Sequence, residues 1–219
     1  MDDFDTVLSV LENPVRRRII RRLSQESGYP LELAAELGLH QQLITKHLKV
    51  MEGAEIVEAK RESSPVGPDR RVFELTRSVS LKIDFSPDLY DARMLSLDEV
   101  SAASKDPRAA EFRERLDHIS ASGKPAGINP YAQLIADIDR RVSELEMEQA
   151  VLLHLRARVM RAAKESFFGK EVSLREKMIA YYILNSNVTN PGTIAESLEM
   201  RREVITGIVE RLREASILR

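Results

Sequence analysis

The stretch Leu37-Gly38-Leu39-His40-Gln41-Gln42-Leu43-Ile44-Thr45-Lys46-His47-Leu48-Lys49-Val50-Met51 decides how this chain is read. Leu43, Ile44, Leu48 and Met51 recur by threes and fours, the period of one helical face, while Gln41, Gln42, Thr45, Lys46 and Lys49 take the other. Gly38 tolerates positive φ, which suits a tight reversal between this helix and a short one over Leu31–Leu37. No acidic residue interrupts the quoted stretch.

Upstream, Val7, Leu8, Val10, Leu11, Val15, Ile19, Ile20 and Leu23 keep helical spacing until Gly28 and Pro30 intervene. Pro14 fits a first helical turn, where its missing N–H costs nothing, and Asn13 fits the cap before it. Downstream the period shortens to two, so that Ile56–Lys60 and Arg70–Thr76 read as strands either side of the loop Ser63–Asp69. Helix, helix, turn, helix and hairpin in that order make a winged helix-turn-helix. Val79–Phe85 alternates apolar and polar residues up to Ser86-Pro87 and is expected as a strand leading out of the first domain, with Asp91–Asp106 as a connector.

Pro107–Ile119 reads as one helix and Ser120–Gly127 as a loop. Tyr131–Phe168 holds the longest helical pattern, with Tyr131, Ile135, Ile138, Val142, Leu145, Leu152 and Val159 spaced by threes and fours or by their sum of seven, and no Gly or Pro inside. At 1.5 Å per residue it would extend about 55 Å, more than a small domain needs internally, so these residues are expected to pack on a partner subunit. Ser173–Leu184, Thr193–Leu198 and Arg201–Ala215 repeat the helix-turn-helix logic in weaker form, and Ile217-Leu218-Arg219 could open a wing strand. The expected fold is mainly α with a small β-wing. Its parts are a winged helix-turn-helix DNA-binding domain over 1–85, a connector with one helix over 86–130, a long dimerisation helix over 131–168 and a degenerate helix-turn-helix over 169–219.

In a helix-turn-helix, the start of the second helix reaches base edges while surrounding cations hold phosphates. That assigns Gln41, Gln42, Thr45, Lys46 and Lys49 to DNA, with glutamine able to pair bidentately with adenine, and His40 to DNA or to capping this helix. The loop between the hairpin strands is expected to hold Lys60, Arg61, Arg70 and Arg71, a basic tip that could follow the backbone or enter a minor groove. The run Arg16-Arg17-Arg18 with Arg21-Arg22 is expected to divide between phosphates, Arg16 and Arg17 among them, and the carboxylates of Glu12 and Glu26. His47, beside Leu48, reads as a half-buried, hydrogen-bonded histidine.

Composition removes most other chemistry. The 219 residues include no Cys and no Trp, and 33 basic side chains stand against 35 acidic ones for a net charge of -2. Without cysteine there are no disulfides, thiolate metal sites or thiol switches. His40 and His47 stand about 10 Å apart along one helix, too far to share a metal, and His118 and His154 are isolated, so no metal and no cofactor are expected. The chain has no Gly-rich phosphate loop with its lysine, no His-Glu-x-x-His and no Gly-x-Ser-x-Gly, so no catalytic residue is assigned. No apolar run reaches 18 residues and Met1-Asp2-Asp3-Phe4-Asp5 is acidic where a signal peptide is basic, so the expectation is a cytoplasmic protein without a membrane partner.

Asn13-Pro14-Val15-Arg16-Arg17-Arg18-Ile19-Ile20 and the Leu37–Met51 stretch resemble the opening and recognition helices of the ArsR-type winged-helix regulators of archaea and bacteria, with His40 where serine is commoner. Val66–Thr76 followed by Ile83–Tyr90 resembles an archaeal subgroup that includes a sulfur-responsive redox regulator. The resemblance implies a long dimer-forming helix and a second helix-turn-helix-like region. It does not carry over that regulator's cysteine-based sensing, because this chain has no cysteine. Together these readings point to a homodimeric, sequence-specific double-stranded-DNA-binding transcription regulator. The alternative is a protein-interaction adaptor built on winged-helix domains.

Overall fold

The computed structural model describes residues 3–63, 69–98, 107–121, 127–167, 172–214 and 218. The fold is mainly α-helical, with two small β-hairpins near the N-terminus and long helices after them. The chain divides into two compact units, residues 1–84 with 91–134 and residues 85–90 with 135–219.

The first unit opens with α1 (Asp3–Leu11) and α2 (Pro14–Leu23). Asn13 caps α2 as its position predicts, its side-chain oxygen accepting from the N–H of Val15 at 2.9 Å and of Arg16 at 3.3 Å. Next come α3 (Pro30–Leu37) and α4 (Gln41–Gly53). The turn between them is a Schellman motif: Gly38 takes φ 65°, its N–H donates to Ala35 O, and Leu39 N–H donates to Ala34 O. Ile19, Leu33, Ile44, Leu48 and Met51 are wholly buried where the helices meet, each contributing about 1.5–3 kcal/mol of apolar burial.

The strands β1 (Val57–Glu62) and β2 (Arg70–Leu75) form the first hairpin, antiparallel with Val57 opposite Leu75 and Arg61 opposite Arg71. On its other edge β2 bridges Gly28 through a reciprocal pair, Gly28 N–H to Phe73 O at 3.1 Å and Phe73 N–H to Gly28 O at 2.9 Å. That bridge ties the loop before α3 to the sheet.

Two expectations change here. Val79–Phe85 does not lead out as a lone strand: β3 (Val79–Ser86) pairs with β4 (Leu89–Ser96) in a second hairpin, so the first part of the expected connector is a strand. Pro87, read as a stop, is the first corner residue of a two-residue turn whose second, Asp88, takes φ 72°. The four wing cations lie on the strands themselves, at Lys60, Arg61, Arg70 and Arg71, rather than in the loop. The loop tip at 64–68, the stretch 99–106, the loop residues 122–126 and the wing strand suggested at 217–219, Leu218 apart, lie outside the described residues.

Beyond the hairpins, α5 (Pro107–Ala121) buries none of its residues, and α6 runs unbroken from Ile128 to Phe167. In the second unit, α7 (Leu174–Ser186), α8 (Pro191–Ser197) and α9 (Arg202–Glu214) build a core from Ile179, Ile183, Ile194, Ile205, Val209 and Leu212. Position by position, α8 and α9 repeat α3 and α4. Proline opens both first helices, at Pro30 and Pro191, and Ile194, Ile205, Val209 and Leu212 are buried where Leu33, Ile44, Leu48 and Met51 are. Glu199, at φ 51°, stands in Gly38's place.

Candidate nucleic-acid interface

The helix α4 has two chemically distinct sides. Ile44, Leu48 and Met51 are fully buried, and that packing fixes the rotation of the helix. Gln41, Gln42, Thr45, Lys46 and Lys49 then share the outer side and line an open hollow of about 450 Å3. The structure thus brings together five of the six side chains that the sequence assigns to this helix. Thr45 Oγ1 donates back to Gln41 O at 2.9 Å. His40, exposed, is the N-terminal flanking residue of α4, but its side chain makes no capping bond.

His47 sits at the edge of this face, half-buried. Burial, reinforced by the nearby charges of Arg16 and Lys46, holds its imidazole below the usual histidine range and so favours the neutral ring.

The basic residues outside α4 divide by partner. Arg16, whose side chain is 11% exposed, donates through Nε to Val10 O at 2.7 Å and through Nη2 to Ser9 O at 2.5 Å. Arg17 donates to Leu11 O and Glu12 O, and Arg18 to Leu37 O. These arginines cap the carbonyl ends of α1 and α3, where partial negative charge and unpaired acceptors accumulate. Arg16 and Arg17, expected on phosphates, thus have main-chain partners within the chain. Arg16 also lies 3.7 Å from Glu12, as the sequence suggested for part of the run. Arg22 is taken by Glu36 and Glu32.

On the hairpin, Lys60 pairs with Glu58 and Glu74, and Arg71 pairs with Glu52 at 2.8 Å while lying over the Phe73 ring. Arg61 and Arg70 meet no carboxylate among the described residues, and Arg70 stacks 5.0 Å from the centre of the Tyr29 ring. Tyr29 was not singled out from the sequence, where nothing marks a residue before α3 as a platform for the wing.

Residues 11–59, from the end of α1 into β1, match the family model of a helix-turn-helix domain. The N-terminal region is a helix-turn-helix domain. Its β1–β2 hairpin gives that domain the form of a winged helix, a fold consistent with DNA-binding regulatory domains in general. No curated protein matches the chain in sequence. Among the described residues no three His, Asp or Glu side chains gather as a metal ion would need, and no helix is long and apolar enough to cross a membrane.

Proposed function

We propose that this protein is a transcription regulator that binds specific double-stranded DNA as a homodimer, with α4 in the major groove and the β1–β2 wing along the flanking backbone. The observation that carries this reading is the outer face of α4. In a helix-turn-helix it offers two glutamines, a threonine and two lysines with no acid among them, over a helix side that is wholly buried. Glutamine and lysine at such positions can read adenine and guanine edges, and each lysine also attracts phosphate. Arg61 and Arg70, which meet no carboxylate among the described residues, suit the backbone contacts of a wing. The resemblance of residues 13–20 and 37–51 to the ArsR-type regulators supports the same reading.

The dimer rests on α6. Ile135, Ile138, Val142, Leu145, Leu152 and Val159 are all exposed, between 37% and 68%, on one stripe of a forty-residue helix. An apolar stripe of that length in water favours covering by a second copy. A two-fold operator would offer one half-site to each α4 of the pair, about 34 Å apart along the duplex.

Genomic DNA selection with the purified protein, followed by fluorescence anisotropy on the selected duplex, tests the proposal. Enrichment of one pseudo-palindromic sequence is expected, with binding lost in the double variant Gln42→Ala, Lys46→Ala. Recovery of no common sequence, or unchanged binding by that variant, overturns it.

A further inference from the structure

Within the second unit, the corner of the β3–β4 hairpin and the helices α6 and α7 border an open hollow of about 500 Å3, the size of a small-metabolite site. Lys164 and Arg161 of α6 hold Asp88 at that corner, where its side chain is 10% exposed. Lys164 also lies 5.0 Å from the centre of the Tyr181 ring.

Arg156, two turns earlier on α6, is held differently. Its Nη2 donates to Asn185 Oδ1 at 2.7 Å, and it pairs with no carboxylate among the described residues. A guanidinium carries five N–H donors in a rigid fork, so an amide that fixes one edge leaves the others oriented for a further acceptor. The same hollow is lined by Met160, 7% exposed, and Leu89, 9% exposed. Arg156 and Lys164 thus line the hollow with Asp88 as its one carboxylate among the described residues, beside the apolar Met160 and Leu89 and the Tyr181 ring, while Arg161 reaches Asp88 from outside the lining.

The geometry points to a binding site for a small organic carboxylate, its oxygens on Arg156 and Lys164 and an apolar, ring-sized body against Met160, Leu89 and Tyr181. Inorganic anions would find the charge but leave the apolar floor uncovered, and neutral aromatics would leave Arg156 without its partner. Asp88 already occupies Lys164, so ligand and Asp88 compete for one ammonium. Asp88 sits in left-handed backbone at the corner of a hairpin that starts at Val79, shortly after β2 ends at Leu75. Entry of the ligand therefore acts on that corner.

Isothermal titration of the full-length protein with benzoate, at constant ionic strength and without DNA, tests the site; its outcome does not depend on the DNA-binding reading. Saturable binding is expected, weakened about tenfold or more by Arg156→Met, as loss of a charge-assisted fork requires. Asp88→Asn is expected to tighten binding several-fold by releasing Lys164, a gain that a purely structural ion pair would not give. Arg156→Met leaves the Asp88 pairs in place and decides the matter if Asp88→Asn fails to fold by circular dichroism. Absence of benzoate binding up to about 20 mM, equal affinity in Arg156→Met, or equal binding of benzyl alcohol or inorganic phosphate overturns the assignment.

Discussion

Gly38 and Glu199 turn the chain in the same left-handed conformation, φ 65° and 51°, at the same place in two helix-turn-helix arrangements. Only glycine takes that conformation without a Cβ penalty of about 1 kcal/mol. Apart from its own backbone and chain neighbours, nothing lies within 4 Å of where a Gly38 Cβ would be, so the cost of a side chain there is backbone strain alone. Gly38→Ala is expected to lower stability by about 1 kcal/mol and Glu199→Gly to raise it by a similar amount, both read from urea midpoints. His47 gives a pH signature. Its folded-state affinity for protons is depressed, so below the ordinary histidine range the unfolded chain takes up a proton that the folded chain resists, and stability falls as pH drops through about 6.5. His47→Gln should flatten that part of a stability-against-pH curve; an unchanged slope would refute the role of burial.

At the scale of elements, α4 and α9 share a buried pattern and differ on their outer faces. Where α4 shows Gln42, Lys46 and Lys49, α9 shows Glu203, Gly207 and Glu210. The acids make α9 a poor match for phosphate, although its core side is built alike. The capping box of α7 ties this region to pH. Ser173 N–H donates to Glu176 Oε2 at 2.8 Å and Glu176 N–H to Ser173 Oγ at 3.3 Å, and Arg211 adds a third contact. The Ser173 bonds first, then Arg211, hold the Glu176 carboxyl below its usual range. Its contribution is present above the ordinary glutamate pKa and is lost as pH falls through the depressed one, so Glu176→Gln should remove that acid-side loss in the melting temperature. For α6, Ile138→Glu with Leu145→Glu is expected to give monomers in analytical ultracentrifugation, whereas an unchanged dimer would move the interface elsewhere.

For the whole molecule, a net charge of -2 says little about DNA, because the charges are arranged rather than averaged. The acid-free face of α4 is local, and several basic residues elsewhere are consumed by carbonyls and carboxylates of their own chain. Lys46→Ala should therefore reduce the slope of log K against log salt by about 1, while Arg16→Ala should leave that slope unchanged and lower stability. Equal slope changes in both variants would show that Arg16 reaches phosphate despite its cap.

The helix-turn-helix was legible because its signals are local. The period of Ile44, Leu48 and Met51, the cap at Asn13 and the glycine at 38 act over one or two turns of helix, where side-chain spacing largely decides which face is buried; Leu43, read with the core face, is instead 37% exposed because its neighbour Ile44 takes the position turned to the core. The α4 face was legible for the same reason. The second hairpin was missed because Pro87-Asp88 serves equally as a strand stop and as a two-residue turn, and only the pairing of β3 with β4 separates the two. The roles of Arg16, Arg17 and Arg18 were equally hidden, since their acceptors are main-chain carbonyls at helix ends, and every residue has a carbonyl. Lys164 and Arg161 each lie more than seventy residues from Asp88 in the chain and become its neighbours only when α6 and the hairpin corner pack together. The sequence by itself thus determined the helices and the face that α4 presents. Tertiary packing decided which cations remain free for a partner, because a charge's availability depends on what the fold brings beside it.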